Sequence, residues 1–264
     1  MIDNLPWGIL ALLCLAALAA GWIDSVVGGG GVIQLPALFV GLPVQTAVAT
    51  VSGTNKLSSI AGTFAATTTY VRRVRFPWPT ALVVVATAFA GSSFGAHLIR
   101  FIPRIAFTPI LIVAVAAVGL YTLRRPHLGD TTQLRHAGSA AHWWWAAGLG
   151  VVCGVWDGLV GPGTGAFLAI GFVALLGFGF LEATAMSKLA NLATNAAALL
   201  VLGVQGHILW GIGAVMAIAN LTGGLIGSHM AVARGNRFIR RVFLVVILVV
   251  EIKLVYDLIR LATG

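Results

Sequence analysis

Long apolar runs, separated by short polar breaks, follow one another along almost the whole chain. They cover approximately residues 5–27, 32–42, 45–70, 79–100 and 105–123, and then 143–160, 165–181, 183–204, 209–232 and 239–260. A helix needs about 20 predominantly apolar residues to span a bilayer, so these runs predict transmembrane helices. The runs at 32–42 and 165–181 are shorter and are bounded by Gly and Pro. They predict short or broken helices, which are tolerated at membrane depth where protein or a cavity surrounds them.

The second half of the chain repeats the order of the first half. The matched positions are Gly21 and Gly154, Asp24 and Asp157, Gly28 and Gly161, Lys56 and Lys188, Trp78 and Trp210, and the GxxxG motifs that begin at Gly91 and Gly223. Charged and aromatic residues that match in one order are hard to obtain by chance in an apolar sequence, so we predict a duplication. The predicted parts are a first transmembrane repeat at 1–123, a polar cytoplasmic linker at 124–142 and a second transmembrane repeat at 143–264.

The arginine-rich loop changes its position between the two repeats. It follows the third run in the first repeat and the fourth run in the second repeat. The residues concerned are Arg72, Arg73 and Arg75 in the first case and Arg234, Arg237, Arg240 and Arg241 in the second. Because basic loops stay in the cytoplasm, we predict an all-α membrane protein of two inverted repeats, with about five hydrophobic segments each and both termini outside. In the alternative, the short runs are re-entrant and eight helices span the membrane, four in each repeat.

The composition agrees with a membrane protein. Of the 264 residues, 59% are hydrophobic and 9% are charged, whereas a soluble domain carries about 25% charged residues. The net charge of +9 comes mainly from arginines between apolar runs, which the positive-inside rule explains without a nucleic-acid partner. Cys14 and Cys153 match no metal or redox spacing, and we expect no cofactor and no metal site.

Two glycine-rich segments precede the short runs at matched positions. Gly28 to Gly31 stands before the first short run, and Gly161 to Gly165 stands before the second. Glycine lets the backbone adopt positive φ and lets a ligand approach the backbone amides. In transporters built from inverted repeats, the N-termini of broken helices bind substrate near the midplane. A tight turn between packed helices is the alternative, but the presence of two matched segments favours a site.

Lys56 and Lys188 are the residues that most strongly indicate a functional site. Two of the three lysines of the chain stand at equivalent positions inside apolar runs, where a lysine costs about 2.5–3.5 kcal/mol to insert. Polar residues recur on the same helical faces, namely Ser52, Asn55 and Ser59 around Lys56, and Thr184, Ser187, Asn191 and Asn195 around Lys188. Such donors around an ammonium group form a cradle for an anion. The alternative is a structural ion pair, Lys56 with Asp24 and Lys188 with Asp157 or Glu182.

The candidate site combines these two signals. The predicted substrate-binding residues are Ser52, Asn55, Lys56, Ser187, Lys188 and Asn191, with Gly29, Gly30, Gly31, Gly163, Thr164 and Gly165 from the loops. Asp24 and Asp157 precede the glycine segments. Each of them either caps a short helix or carries a proton, as ionisable residues at membrane depth do in transporters.

The glycine segment that follows Asp24, with Leu35 and Pro36 and then Gly53 to Lys56, resembles the sulfite exporter TauE/SafE family. The segments Asp157 to Gly165 and Lys188 to Asn191 resemble the second half of that family. The resemblance implies a permease of the bacterial inner membrane for sulfur-containing anions such as sulfite, sulfoacetate or other sulfonates, driven by the proton gradient. It also implies seven or eight helices, fewer than the ten segments counted above.

We therefore predict a secondary transporter of a small anion in the lipid bilayer. An anion channel, or a transporter of another small organic or inorganic anion, is the alternative function. We do not expect an enzyme, because the sequence lacks the His-Glu-x-x-His and Gly-x-Ser-x-Gly motifs. The sequence leaves open whether the chain forms a homo-oligomer.

Overall fold

The computed structural model describes residues 6–101, 131–136 and 138–263, without the side chains of 246, 247 and 249–263. Its helices are α1 (Trp7–Val27), α2 (Gly31–Gly41), α3 (Val48–Arg73), α4 (Trp78–Leu98), α5 (Ala140–Leu159), α6 (Thr164–Gly171), α7 (Phe180–Val204) and α8 (Trp210–Thr263). A 3₁₀ turn follows α4, and a π-helical turn at Phe172–Leu176 follows α6. The predicted run at 105–123 and most of the linker lie outside the described residues.

The described part of the chain has the polarity of a membrane protein. Large apolar side chains face outward, as at Val204, which is 90% exposed, while both Lys56 and Lys188 are buried. Four of the described helices are long and apolar enough to cross a membrane: Trp7–Val27, Trp78–Phe101, Phe180–Val204 and the segment Trp210–Val245. The all-α membrane fold predicted from the sequence is therefore confirmed.

Glycines end three of the helical segments. α1 ends at Gly28 (φ 78°), the π-helical turn ends at Gly177 (φ 83°), and Gly235 (φ 67°) interrupts α8. Positive φ is unfavourable for residues with a Cβ and terminates an α-helix. The interruption of α8 separates the runs that the sequence places at 209–232 and 239–260. The predicted run at 165–181 is likewise divided, because the chain leaves the helix at Gly177 and starts α7 at Phe180.

α1 and the short helix α2 form one helical hairpin, and α5 and the short helix α6 form a second one. In the first hairpin, Gly30 contacts Ala20 near the turn, and Gly41 contacts Ile9 at the other end. α2 therefore runs back along α1. In the second hairpin, Trp156 packs on Phe167 near the turn, and Gly171 contacts Leu149 further back along α5.

The helices of the first repeat pack against those of the second. The Asn220 amide donates to the Ala17 carbonyl (3.0 Å), and Trp22 further along α1 donates to Met230 Sδ (3.3 Å). α1 and the first part of α8 therefore run in the same direction. α4 and α5 are parallel in the same way, with Thr80 beside His142 at their beginnings (Oγ1 to Nε2, 2.9 Å) and Gly95 beside Val155 further along.

α3 and its counterpart α7 run in opposite directions. The Thr63 hydroxyl accepts from the Asn195 amide (3.4 Å), and Thr67 donates to the Lys188 carbonyl (3.1 Å). Thr63 and Asn195 are 132 positions apart, the same offset as Lys56 and Lys188. A residue that contacts its own counterpart lies on the two-fold axis that relates the repeats. Because α3 and α7 are antiparallel, this axis is perpendicular to them, and the two repeats are inverted.

The inversion brings the basic loops to one end of the bundle. α3 and the first part of α8 are parallel, since Thr54 accepts from the Leu209 amide and Gly62 further along contacts Asn220. The arginine-rich loops that follow them therefore lie at the same end. The described part of the linker reaches this end as well, where the Arg135 guanidinium donates to the Ala174 carbonyl (2.6 Å). This distribution satisfies the positive-inside rule for inverted repeats.

Candidate substrate site

The two glycine segments meet between the repeats. A Cβ on Gly28 would lie 2.2 Å from the carbonyl carbon of Gly165, and a Cβ on Gly31 would lie 3.2 Å from Pro162 Cα. The loops pack backbone to backbone, which glycine alone permits. The N-termini of α2 and α6 thus come together, and each presents unpaired amides and the positive end of its helix dipole.

Two ion pairs, one buried and one partly buried, cross from one repeat to the other. Lys56 Nζ lies 2.5 Å from Asp157 Oδ2, and both side chains are 2% exposed. Lys188 Nζ lies 3.1 Å from Asp24 Oδ2 and also donates to the Asp24 backbone carbonyl. Because Lys56 corresponds to Lys188 and Asp157 corresponds to Asp24, the two pairs are related by the two-fold axis.

The partners within one repeat that the sequence suggested are wrong. Tyr70 donates to the carbonyl of Ser25, next to Asp24 (2.8 Å). Tyr70 lies fourteen residues after Lys56 on α3, which is about 21 Å along a helix. Lys56 pairs with Asp157 of the antiparallel repeat instead of Asp24, and Asp24 pairs with Lys188. Glu182 accepts from the Thr132 hydroxyl (2.6 Å), away from both lysines.

A small polar cavity lies beside these pairs and the two loops. It is lined by Asp24, Gly29, Gly31, Asn55, Lys56, Ser59, Asp157, Gly161, Gly163, Thr164, Gly165, Asn191 and Asn195. The lining offers one ammonium group, two carboxylates, three amides and hydroxyl groups. The Asn55 side chain is 4% exposed, and its Oδ1 accepts no hydrogen bond from the described part of the chain. Such an unpaired buried acceptor is unusual unless a ligand or water completes the site.

Most of the residues predicted for the site line this cavity, but four of them do not. Lys188 and Ser187 are 0% exposed and Ser52 is 1% exposed, and Gly30 packs against the Ala20 carbonyl. The side-chain hydroxyl of Ser187 donates to the Thr184 carbonyl (2.9 Å) instead of facing the cavity. The spacing of these residues is helical, but spacing alone does not show which end of a helical face stays open.

Ser59, Asn195 and Gly161 also line the cavity, although the predicted site omits them. Ser59 lies seven residues after Ser52 on one face of α3, and Asn195 lies four residues after Asn191 on α7. The i, i+4 and i, i+7 spacings place both side chains on the same helical faces as the predicted residues, so the sequence could have identified them. Gly161 opens the second glycine segment, and its positive φ (95°) gives it the same turn-forming role as Gly28.

Charge in the site is balanced by the pairs themselves. Each buried lysine has one buried or half-buried aspartate beside it, so the four side chains together carry no net charge when all are ionised. Removing one partner of such a pair leaves an uncompensated charge, which costs several kcal/mol in a buried site. The remaining field inside the cavity comes from the two helix N-termini, which favour negative charge.

Comparison with known proteins extends over nearly the whole chain. The family model described as Sulfite exporter TauE/SafE matches residues 13–254. The chain is 36% identical over 258 residues to the probable membrane transporter protein ORF9 of Sinorhizobium sp, covering 97% of this chain and 96% of that protein. It is 34% identical to the probable membrane transporter protein YfcA of Escherichia coli (strain K12), covering 94% and 90%. It is 26% identical to the probable membrane transporter protein YdhB of Bacillus subtilis (strain 168), covering 83% and 87%. No solved structure matches the chain.

Proposed function

The chain belongs to the sulfite exporter TauE/SafE family and is a multi-pass membrane transporter, and on this premise we propose that it carries a small sulfur-containing oxyanion together with a proton. The substrate class is sulfite, sulfoacetate or a related sulfonate. The observation that carries the proposal is the cavity in which Lys56 and the N-termini of two short helices converge on the same space. Amide and ammonium donors are the groups that bind oxyanions in proteins.

Proton coupling follows from the charges around the cavity. With Asp157 ionised, Lys56 is already neutralised at 2.5 Å, and an entering anion would add an uncompensated negative charge. A proton on Asp157 removes that competition and leaves the ammonium group of Lys56 for the anion. For a monoanion, the occupied site then has the same net charge as the empty site, and for a dianion a second proton, on Asp24, restores that balance. This limits the electrostatic penalty of crossing the membrane interior. We therefore assign proton coupling to Asp157 and, by symmetry, to Asp24.

The test is uptake into proteoliposomes with an imposed inward proton gradient. Sulfite, sulfoacetate and other sulfonates are compared with sulfate, phosphate and small carboxylates. We expect accumulation of at least one sulfur oxyanion by the native protein and its loss in Lys56→Ala and Lys188→Ala. Arg73→Ala is the control, because Arg73 is an exposed cation on the same helix as Lys56 and its loss leaves the cavity intact.

Three results would overturn the proposal. The anion site is wrong if folded Lys56→Ala and Lys188→Ala proteins both transport at the native rate. The substrate class is wrong if only a carboxylate or phosphate accumulates. Currents in planar bilayers that persist without a proton gradient and scale with anion concentration would instead identify a channel.

A further inference from the structure

The cavity offers hydrogen-bond acceptors as well as donors. Asn55 lines it and is 4% exposed, and its Oδ1 accepts no hydrogen bond from the described part of the chain. A site that only had to hold a fully deprotonated oxyanion would present donors alone, because the oxygens of such an anion accept and cannot donate. A buried acceptor beside that anion would repel it and would also be left without a hydrogen bond.

Asn195 presents a second acceptor, because its neighbours fix the orientation of its amide. The Thr63 hydroxyl donates its only hydrogen to the Ser59 carbonyl (2.8 Å), so towards Asn195 it can only accept. The amide nitrogen of Asn195 therefore lies on the Thr63 side, 3.4 Å from Oγ1. Its Oδ1 is the group that remains for the cavity, which Asn195 lines.

Thr164 adds an acceptor at the start of α6, whereas Asn191 provides a donor. The Thr164 hydroxyl donates its hydrogen to the Gly161 carbonyl (2.7 Å), which leaves Oγ1 able only to accept from a ligand. Asn191 Oδ1 accepts from the Thr194 hydroxyl (3.3 Å), and its Nδ2 would lie 3.6 Å from a Cβ on Gly165. The cavity thus holds donors and acceptors in defined positions.

We propose that the site selects singly charged sulfur oxyanions that carry a hydrogen of their own, with Asn55 and Asn195 as its acceptors. The inference rests on the proposed transport of a sulfur oxyanion and names the form that is bound. For sulfite this form is hydrogensulfite. Its oxygens accept from Lys56 and from the helix N-termini, and its hydrogen is donated to an asparagine oxygen. The sulfite dianion has no such hydrogen and leaves both acceptors without a partner.

The charges around the cavity favour the same form. Lys56 is paired with Asp157 and Lys188 is paired with Asp24, so the four ionised side chains provide no net positive charge for a dianion. A monoanion is balanced by one proton on an aspartate, whereas a dianion requires two. Hydrogensulfite therefore satisfies both the hydrogen-bond acceptors and the charge balance at the lower cost.

Sulfamate and methanesulfonate are a matched pair for testing this selectivity. Both are monoanions with the same number of heavy atoms, and they differ in whether an amino group or a methyl group is bonded to the sulfonate. Each is added at increasing concentration to proteoliposomes that take up radiolabelled sulfite at mildly acidic pH, where hydrogensulfite predominates. We expect sulfamate to reach half-inhibition at a concentration about 10–100-fold lower than methanesulfonate, because only sulfamate can donate to a buried acceptor.

Substitution of the two asparagines tests whether they cause the selectivity. Asn55→Leu and Asn195→Leu each remove an acceptor and keep a side chain of similar size, so each should bring the two half-inhibition concentrations closer together. Thr68→Val is the control on α3, because the Thr68 hydroxyl donates to the Phe64 carbonyl of its own helix and lies outside the cavity. This variant should keep the native ratio.

The selectivity is overturned if the two anions inhibit the native protein equally, or if neither inhibits it. A native ratio in folded Asn55→Leu and Asn195→Leu proteins overturns the role of the asparagines. The comparison in the native protein decides the selectivity even where a variant fails to fold. These outcomes leave the transport of sulfite standing, because its uptake is measured in the same vesicles. If the native protein takes up no sulfur oxyanion, the proposed function fails and the selectivity fails with it.

Discussion

At the scale of single residues, the Lys56–Asp157 pair predicts how substitutions of either residue change the stability of the protein. Lys56→Met leaves a buried carboxylate without its partner, and we expect a loss of about 3–5 kcal/mol of stability. Lys56→Met with Asp157→Leu removes both charges and should recover most of that loss. Thermal unfolding of the detergent-purified proteins measures both effects.

A mismatched double variant provides the control for this prediction. Lys56→Met with Asp24→Leu removes one residue from each of the two pairs and should be less stable than either single variant. Recovery in this protein, and none with Asp157→Leu, would mean that the lysine pairs within its own repeat. The pairing across repeats would then be wrong.

The proposed role of Asp157 in proton coupling can be tested by substitution. Asp157→Asn cannot bind and release a proton, but it keeps a polar group beside Lys56. We expect this variant to lose proton-driven accumulation of the anion while it still exchanges labelled for unlabelled anion across the membrane. Both modes are measured in the same proteoliposomes. Glu182→Gln is the control, because Glu182 bonds Thr132 outside the cavity and should keep both modes; accumulation that survives in Asp157→Asn contradicts the coupling role.

The sequence identified the residue types of the site but not their partners. Lysine and aspartate are conspicuous in apolar runs because each is expensive there. Lys56 and Asp157 are 101 positions apart, and Lys188 and Asp24 are 164 positions apart. Which aspartate meets which lysine depends on the direction in which α7 crosses α3. Residue spacing within one repeat carries no information about that direction.

At the scale of helices and loops, the contact between the two glycine segments can be tested by comparing alanine substitutions at Gly28 and Gly206. Gly28 and Gly206 have similar positive φ angles, 78° and 77°, so alanine at either position carries backbone strain of about 1–3 kcal/mol. A Cβ at Gly28 would also meet the Gly165 backbone at 2.2 Å, whereas Gly206 has open space around it. We expect Gly28→Ala to abolish transport and to destabilise the protein more than Gly206→Ala, which keeps transport. Equal effects in uptake and unfolding assays would show that the loop contact is unimportant.

The different surroundings of Gly95 and Gly148 predict opposite changes in stability when each is replaced by alanine. Gly95 packs its Cα against α5, where a Cβ would lie 2.3 Å from the Val155 carbonyl oxygen, while Gly148 on α5 faces open space. Gly148→Ala should leave stability unchanged or raise it by up to about 1 kcal/mol, because alanine favours a helix. Gly95→Ala should lower stability, since the helices must separate. Thermal unfolding measures both; a stabilised Gly95→Ala protein would exclude close packing there.

Apolar runs predicted where helices exist better than where they end. α1, α4, α5 and α7 begin and end within a few residues of their runs, because basic, proline or glycine residues flank them. The run at 165–181 extends past the observed end of its helix, because the chain stays apolar from Phe172 to Phe180 while the backbone leaves the helix at Gly177. The hydropathy of these residues does not indicate where the helix ends, whereas the glycines at 177 and 179 do.

At the scale of the whole molecule, the inverted repeats predict the side of the membrane on which the described loops lie. We expect the loop after α3, the linker and the loop at Gly235 to be cytoplasmic, and both termini to lie outside. Reporter fusions that are active on one side of the membrane test this, with fusions after Arg75 and after Arg237 as a matched pair. Opposite locations for these two fusions would contradict the antiparallel repeats.

The arrangement of the whole chain could largely be predicted from the sequence. The changed position of the arginine-rich loop indicated inversion, and the parallel course of α3 and the first part of α8 agrees with it.

The crossed ion pairs also bear on how such a chain could arise. A half-length ancestor with one aspartate and one lysine would have lacked these ion pairs, because in the observed fold neither charge pairs within its own repeat. Two copies inserted upside down relative to each other would have neutralised all four at once. Each half of the present protein therefore depends on the other for its counter-ions, and the two halves expressed as separate chains would neutralise these charges only by assembling.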